Sequence, residues 1–199
     1  MITVQTLEVG GIVPALMSVK LPFSKQTTID EVLLDYGKKT NEEIEYDADL
    51  TPEMKAKYFS MSISPKSLKL LSNLQLSGDD HGKANRGIVA YALIKAPIYW
   101  WVEMETYRIG HERLSSQSTM HVDAKGLEGD ELVKFKGDMP MGKELIKIDS
   151  FSYQALRHIY FARRDHRLPE WHTFCDWIKT LPFAKELITR EKEQTNTSK

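Results

Sequence analysis

The stretch "DSFSYQALRHIYFARRDHRLPEWHTFCDWIKTLP" constrains the fold more than any other part of the chain. Leu156, Ile159, Tyr160 and Arg163 recur at helical spacing, and Trp171, Phe174, Cys175 and Ile178 do so again after "RDHRLPEW". Stripes of this kind mark one buried face of a helix. Pro169 stands where a first helical turn tolerates a missing N–H. The spacing predicts two consecutive helices, over 151–164 and 169–180, joined by a tight turn. Upstream, "GIVAYALIKAP" is rich in β-branched and aromatic residues and predicts a buried strand over 88–94, broken at Ala96-Pro97. The run "IYWWVEMETYR" that follows is ambiguous by pattern, and a helix leading towards Arg108 satisfies it.

Three further helices announce themselves by their starts. "TTIDEVLLDYGKKTNEEI" opens on Thr or Asp, with Ile29, Val32 and Leu33 at helical spacing. Thr51-Pro52-Glu53 and Ser64-Pro65 repeat one device, a hydroxyl cap before a proline, and the second helix stops at Gly78. Residues 121–148, rich in Gly, Lys and Asp, read as loop with short pieces of strand or helix. The sum is an α+β fold, a small and mostly antiparallel sheet covered by helices, in a single domain over 1–188. A polar tail over 189–199 reads as disordered.

Composition sets limits on function. Among 199 residues the formal net charge is −1, so no global field favours bulk nucleic acid or an anionic membrane. Any anion site must be a local concentration of Arg and Lys. No run approaches the roughly 18 apolar residues of a membrane helix, and no secretory signal is visible, so a cytoplasmic protein is expected. The single cysteine, Cys175, reads as a small buried apolar side chain rather than a nucleophile. Asp79, Asp80 and His81 in "SGDDHGKANRG" lack further ligands at metal-binding spacing, and no metal is expected. The four tryptophans read as core, while "PIYWW" with Tyr107 offers more aromatic surface than one small core readily covers, which predicts an interface.

Local concentrations of the required kind exist. "YRIGHERLSSQSTMH" carries Arg108 and Arg113 beside Ser115, Ser116, Gln117, Ser118 and Thr119. Hydroxyl side chains of this sort bond the local backbone and free N–H groups; if they opened a helix, those groups would converge on an anion, and the arginines could grip a phosphate with two bonds each. On spacing alone, a polar surface turn is the plainer reading. A second cluster, Arg163, Arg164, Asp165, His166 and Arg167, sits at a predicted helix end, where cations also complement the dipole.

Together these segments resemble the flavin-dependent thymidylate synthases over roughly residues 68–180. That family's signature is Arg-His-Arg, seven residues, then Ser, after an apolar run; here Arg108 and Ser118 hold the outer places, with Ile109 and Gly110 between. Met120-His121 replaces the family's following Arg-Tyr. Leu156, His158, Arg163 and Trp171 fall where its C-terminal pattern would put them, with Ser152 and Gln154 in place of an Asn and an Arg. His81 and Arg86 stand about where it has a flavin-contacting turn. "SSQSTMH" and "HRLPEW" also resemble stretches in small proteins of phages of Gram-positive bacteria.

The resemblance implies a pyrimidine deoxynucleotide (dUMP-like) modified at C5, with reduced FAD and a folate one-carbon donor, in a homotetramer. It implies that Arg108, Ser116, Gln117 and Ser118 meet the nucleotide phosphate and that Arg163 is catalytic, placing charge near the developing enolate oxygen. His81, Asn85, Arg86, Arg108 and His158 would contact the flavin. Two other functions stay open: a nucleotide-binding protein that keeps the fold without flavin chemistry, and a phage protein that contacts a host factor.

Overall fold

The computed structural model describes residues 1–78 and 80–191. Its sheet has four antiparallel strands in the order β1 (Thr3–Gly10), β2 (Val89–Pro97), β4 (Glu144–Ser152), β3 (His111–Ser116). Between β1 and β2 lie α1 (Ile12–Lys20), α2 (Ile29–Tyr46), α3 (Pro52–Met61) and α4 (Pro65–Leu76). A short α5 (Ile98–Met104) links β2 to β3, and α6 (Gly129–Gly137) links β3 to β4. The chain ends in α7 (Tyr153–Arg163), α8 (Pro169–Lys179) and α9 (Ala184–Leu187). No described helix is long and apolar enough to cross a membrane.

The expected α+β architecture is present, and the capping signals work as chemistry demands. Thr28 accepts from the Glu31 N–H while the Glu31 carboxylate takes the Thr28 N–H, so two orphan donors at the start of α2 are satisfied together. Thr51, Ser64 and Ser152 likewise accept from the third residue of α3, α4 and α7.

Burial alternates along β2. Ala90, Ala92, Ile94 and Ala96 are buried, while Val89, Tyr91 and Leu93 are half-buried. In register with the first set lie Phe151, Asp149, Lys147 and Leu145 of β4. Onto this face pack Trp100 and Trp101 of α5 and Trp171, Phe174 and Trp177 of α8, ring against ring at 4.9–6.1 Å between centroids. The four tryptophans are therefore core, as their sequence context predicts. Cys175 is buried with them, and burial pushes its thiol up to about 11, which suits a packing residue and not a nucleophile.

The fold corrects the sequence reading in three places. The strand predicted over 88–94 runs on to Pro97, because the proline ends it at the last pair with β4 and Ile98 starts a helix at once. Residues 144–152, read mostly as loop, form the strand that joins both neighbours; Phe151 and Ser152 belong to it, so the helix expected from 151 begins at Tyr153. The hydroxyl-rich stretch opens no helix: 111–116 is an edge strand and 117–121 a turn. In "PIYWW" the two tryptophans are buried, while Tyr99, like Tyr107, stays half-buried. Trp100 and Trp101 are covered by this chain's own helices, and Tyr107 lies edge-on to Trp171. Of the tail expected over 189–199, residues 192–199 lie outside the described residues, as does Asp79.

Candidate functional site

Polar side chains converge where α5 ends and β3 begins. Helix α5 is only seven residues long; its last turn carries Glu103, and the cap and turn that follow carry Glu105, Tyr107 and Arg108. Two networks radiate from this corner. In the first, Arg163 of α7 donates from Nη1 to Glu103 Oε2 at 2.8 Å and from Nε to the Tyr107 hydroxyl at 2.7 Å. The same carboxylate oxygen accepts from Trp171 Nε1 at 2.9 Å. The Arg163 guanidinium lies over the Trp171 ring at 4.5 Å and the Tyr107 ring at 5.4 Å. His166 Nε2 stands 3.7 Å from Glu103 Oε2. Arg163 is thus held by charge, hydrogen bonds and two aromatic faces at once.

The second network sits on β3 and β4. His111 and Arg113 share a face two residues apart, and Arg113 pairs directly with Asp149 across the strands. Asp149 is fully buried and accepts from His111 Nε2 at 2.7 Å and from Arg113 at 3.3 Å on each oxygen. The other ring nitrogen of His111 faces the Tyr107 carbonyl at 2.9 Å, and the ring stacks on Phe151. Arg113 is also hydrogen-bonded to Glu105. Burial opposes its charge, but the bonds from Glu105 and Asp149 outweigh it and hold the guanidinium above its ordinary value. The Arg113 hydrogen bond holds the Glu105 carboxyl below the usual carboxylate range. Lys147 completes the group, its ammonium 4.4 Å from the centre of the Trp101 ring; burial, then the charge of Arg113, lowers its pKa.

Arg108 differs from both. It is exposed, and among the described residues its one hydrogen bond is from Nε to the Glu105 carbonyl at 3.2 Å. Its terminal nitrogens have no protein acceptor there. Beside it, Ile109 is exposed, and Gly110 has φ +73°, with its backbone pressed against Ser152 so that a Cβ would stand 2.4 Å from Ser152 Oγ. A side chain at 110 would be strained by the positive φ and would crowd Ser152.

The remaining candidates divide. Gln117 continues the β3–β4 ladder, its N–H bonded to the Ile146 carbonyl and its side-chain oxygen accepting from the Ile146 N–H. Ser118 Oγ accepts from the N–H groups of Met120 and His121 and lies 2.8 Å from His121 Nδ1, which ties the turn together. Ser116 is exposed, and among the described residues its hydroxyl bonds the Gln117 carbonyl alone. Asn85 is buried, its amide donating to Gln75 and to the Leu187 carbonyl. Arg86 is exposed and donates from Nε to Gln154 at 2.6 Å, four residues before His158 on α7. His158 is exposed on that helix, and His81 is exposed in its turn. The structure therefore brings Arg86 and the His158 helix together, and brings Arg163 and Arg108 to one corner through Tyr107 and Glu105. It scatters the second arginine cluster: Arg164 pairs with Asp165 and Glu191, and Arg167 points to solvent.

His111 and Asp149 escaped the sequence reading. The available signal was Asp149 itself, an acid in the alternating run "LIKIDSFS", which in a central strand requires a buried partner.

Neither a family model nor a curated protein matches the chain by sequence. Solved structures do match in shape. The flavin-dependent thymidylate synthase ThyX of Helicobacter pylori, complexed with FAD and dUMP, superposes with TM-score 0.63 at 12% identity, over 94% of this chain and 97% of that one. A second crystal structure of that enzyme with FAD and dUMP gives 0.61 at 11%, over 95% and 98%. The UMP/dUMP methylase PolB of Streptomyces cacaoi, bound with 5-Br dUMP, gives 0.55 at 14%, over 95% of each chain. At such identities the likeness shows the fold, and it extends over the N-terminal third as well as residues 68–180.

Proposed function

We propose that the protein binds a dUMP-like pyrimidine nucleotide and modifies it at C5, with a flavin and a folate one-carbon donor. One observation carries the nucleotide part. At a corner where Arg113 and Arg163 are each neutralised by carboxylates, Arg108 alone keeps its terminal nitrogens open to solvent. A phosphate there gains two charge-assisted bonds without breaking any existing pair. Ser116, Gln117 and Ser118 belong to the proposal by resemblance. What supports the C5 chemistry is the near-complete superposition on two enzymes whose crystals hold FAD with dUMP, or a brominated dUMP.

The residues present fit the diphosphate portion of a flavin dinucleotide. Arg86 offers terminal nitrogens that bond nothing among the described residues, on the side of α7 that carries His158 one turn beyond Gln154. Asn85 stays in the set by resemblance; its amide nitrogen is bonded inside the fold, while its buried Oδ1 has no partner among the described residues. When bound, a reduced flavin supplies the hydride that turns a one-carbon unit into a methyl group. The chain's part is to bind, orient and polarise. Arg163 presents Nη2 as its unspent edge, and Glu103 offsets the rest of its charge. That offset favours a second reading, a nucleotide-binding protein that has kept the fold and lost the redox step. A homo-oligomer, a tetramer by resemblance, belongs to the proposal.

Purified protein with an oxidised-flavin absorbance spectrum that also binds dUMP by calorimetry is the expected result. Colourless protein that binds dUMP selects the second reading. Protein that binds neither overturns both.

A further inference from the structure

We infer that His111 is a positioning residue for Arg108: as a doubly protonated ring it clamps the turn that presents the open guanidinium, so phosphate binding there weakens as the ring loses a proton. The phosphate readout rests on the nucleotide reading above; the clamp itself rests on geometry alone. Arg108 and Ile109 lie between two fixed carbonyls. On one side the Tyr107 carbonyl faces His111 Nδ1 at 2.9 Å. On the other the Gly110 carbonyl accepts from the Ser152 N–H at 2.7 Å. The second anchor is backbone on backbone and does not titrate. The first depends on a side chain.

What that side chain faces decides its protonation. A carbonyl oxygen can only accept, so Nδ1 carries a hydrogen. At the other edge of the ring, Nε2 stands 2.7 Å from Asp149 Oδ2. Arg113 donates to each oxygen of that carboxylate at 3.3 Å, bonds of the kind an ionised acceptor makes. Both ring nitrogens therefore donate, and imidazole does so only as the cation. The ring is buried and stacked on Phe151, with centroids 4.5 Å and planes 5° apart; turned over, it would set carbons against both oxygens. Among the charges around it, Asp149 is in contact and Glu105 acts from the turn, while Arg113 and Lys147 act on the Asp149 carboxylate. Strand β2 brings only Ala90 and Ala92 opposite Phe151 and Asp149. A ring that loses one proton keeps the stronger, charge-assisted bond to Asp149. Nδ1 then turns a lone pair on the Tyr107 carbonyl, and the turn is released at the end next to Arg108.

Nitrogen-15 chemical shifts of the His111 ring, with dUMP and deoxyuridine calorimetry, test this over the range where imidazole titrates, about pH 5–8. Both ring nitrogens should be protonated at the acid end, and the amide signals of Arg108 and Ile109 should move as one proton leaves. His111→Phe keeps the stack and removes both donors. It should bind dUMP about fivefold more weakly than the parent at the acid end, with the gap closing as pH rises and deoxyuridine bound alike. The phosphate's own ionisation is common to both proteins and cancels in that ratio. In an Arg108→Ala background, His111→Phe should cost nothing further, because one residue acts through the other. A ring with one bare nitrogen throughout, a ratio flat with pH, or a full loss in the Arg108→Ala background would overturn the inference. Failure of the nucleotide reading looks different: Arg108→Ala then binds dUMP as the parent does, and the ring and amide signals, which need neither variant nor nucleotide, decide the clamp.

Discussion

Arg163 and Arg108 stand at the same corner and are chemically identical, yet they do opposite work. Arg163 is mostly covered, bonded to Glu103 and Tyr107 and layered on Trp171. Arg108, a short loop away, holds one backbone carbonyl and faces water. A residue whose bonding capacity is already met contributes to stability and shape. One whose capacity is open contributes when something arrives. The corner is thus a rigid inner network, with Asp149 at its base, and an exposed rim at Arg108.

Removing the base should have the largest effect. Asp149→Ala leaves His111 and Arg113 without their acceptor, and breaking a buried charged pair costs about 3–5 kcal/mol. Denaturant unfolding should show a loss of that size; a loss of under about 1 kcal/mol would mean that the network is ornamental. Arg163→Ala comes next, at about 2 kcal/mol, since Glu103 and Trp171 lose a partner at a half-buried site. Turnover, where present, should vanish with it. Arg108→Ala should leave stability within about 0.5 kcal/mol while weakening nucleotide binding. A smaller effect comes from acid. The Tyr99 hydroxyl bond holds the Glu170 carboxyl below the usual carboxylate range, as Arg113 does that of Glu105. Folded values below unfolded ones give stability that is complete above the ordinary carboxylate range and lost as pH falls through the lowered values. The melting temperature should therefore drop on acidification, and Tyr99→Phe should remove part of that dependence.

The inner network and the rim were not equally legible in the sequence. Arg108, Ser116 and Ser118 could be picked out because hydroxyls and arginines crowd one short stretch. The terminal helices could be read because Leu156, Ile159, Trp171 and Phe174 repeat at helical period. Strand β4 was hidden, since Lys147 and Asp149 interrupt its apolar alternation; only the fold shows that a tryptophan and a histidine satisfy them. Pairings such as Arg163 with Glu103 join residues 60 positions apart and follow from topology, which local pattern does not carry. The same holds for Asn85, whose burial against Leu187 depends on where the last helix docks.

The central claim is that the open arginine, and not the clamped one, takes the nucleotide phosphate. Titrating dUMP, and deoxyuridine without its phosphate, into the parent protein and into Arg108→Ala by calorimetry tests it most directly. Charge-assisted bonds contribute about 1.5–3 kcal/mol. The account predicts that Arg108→Ala binds dUMP about tenfold more weakly or worse, while both proteins bind deoxyuridine alike. Equal dUMP affinity in a normally folded Arg108→Ala variant would contradict it.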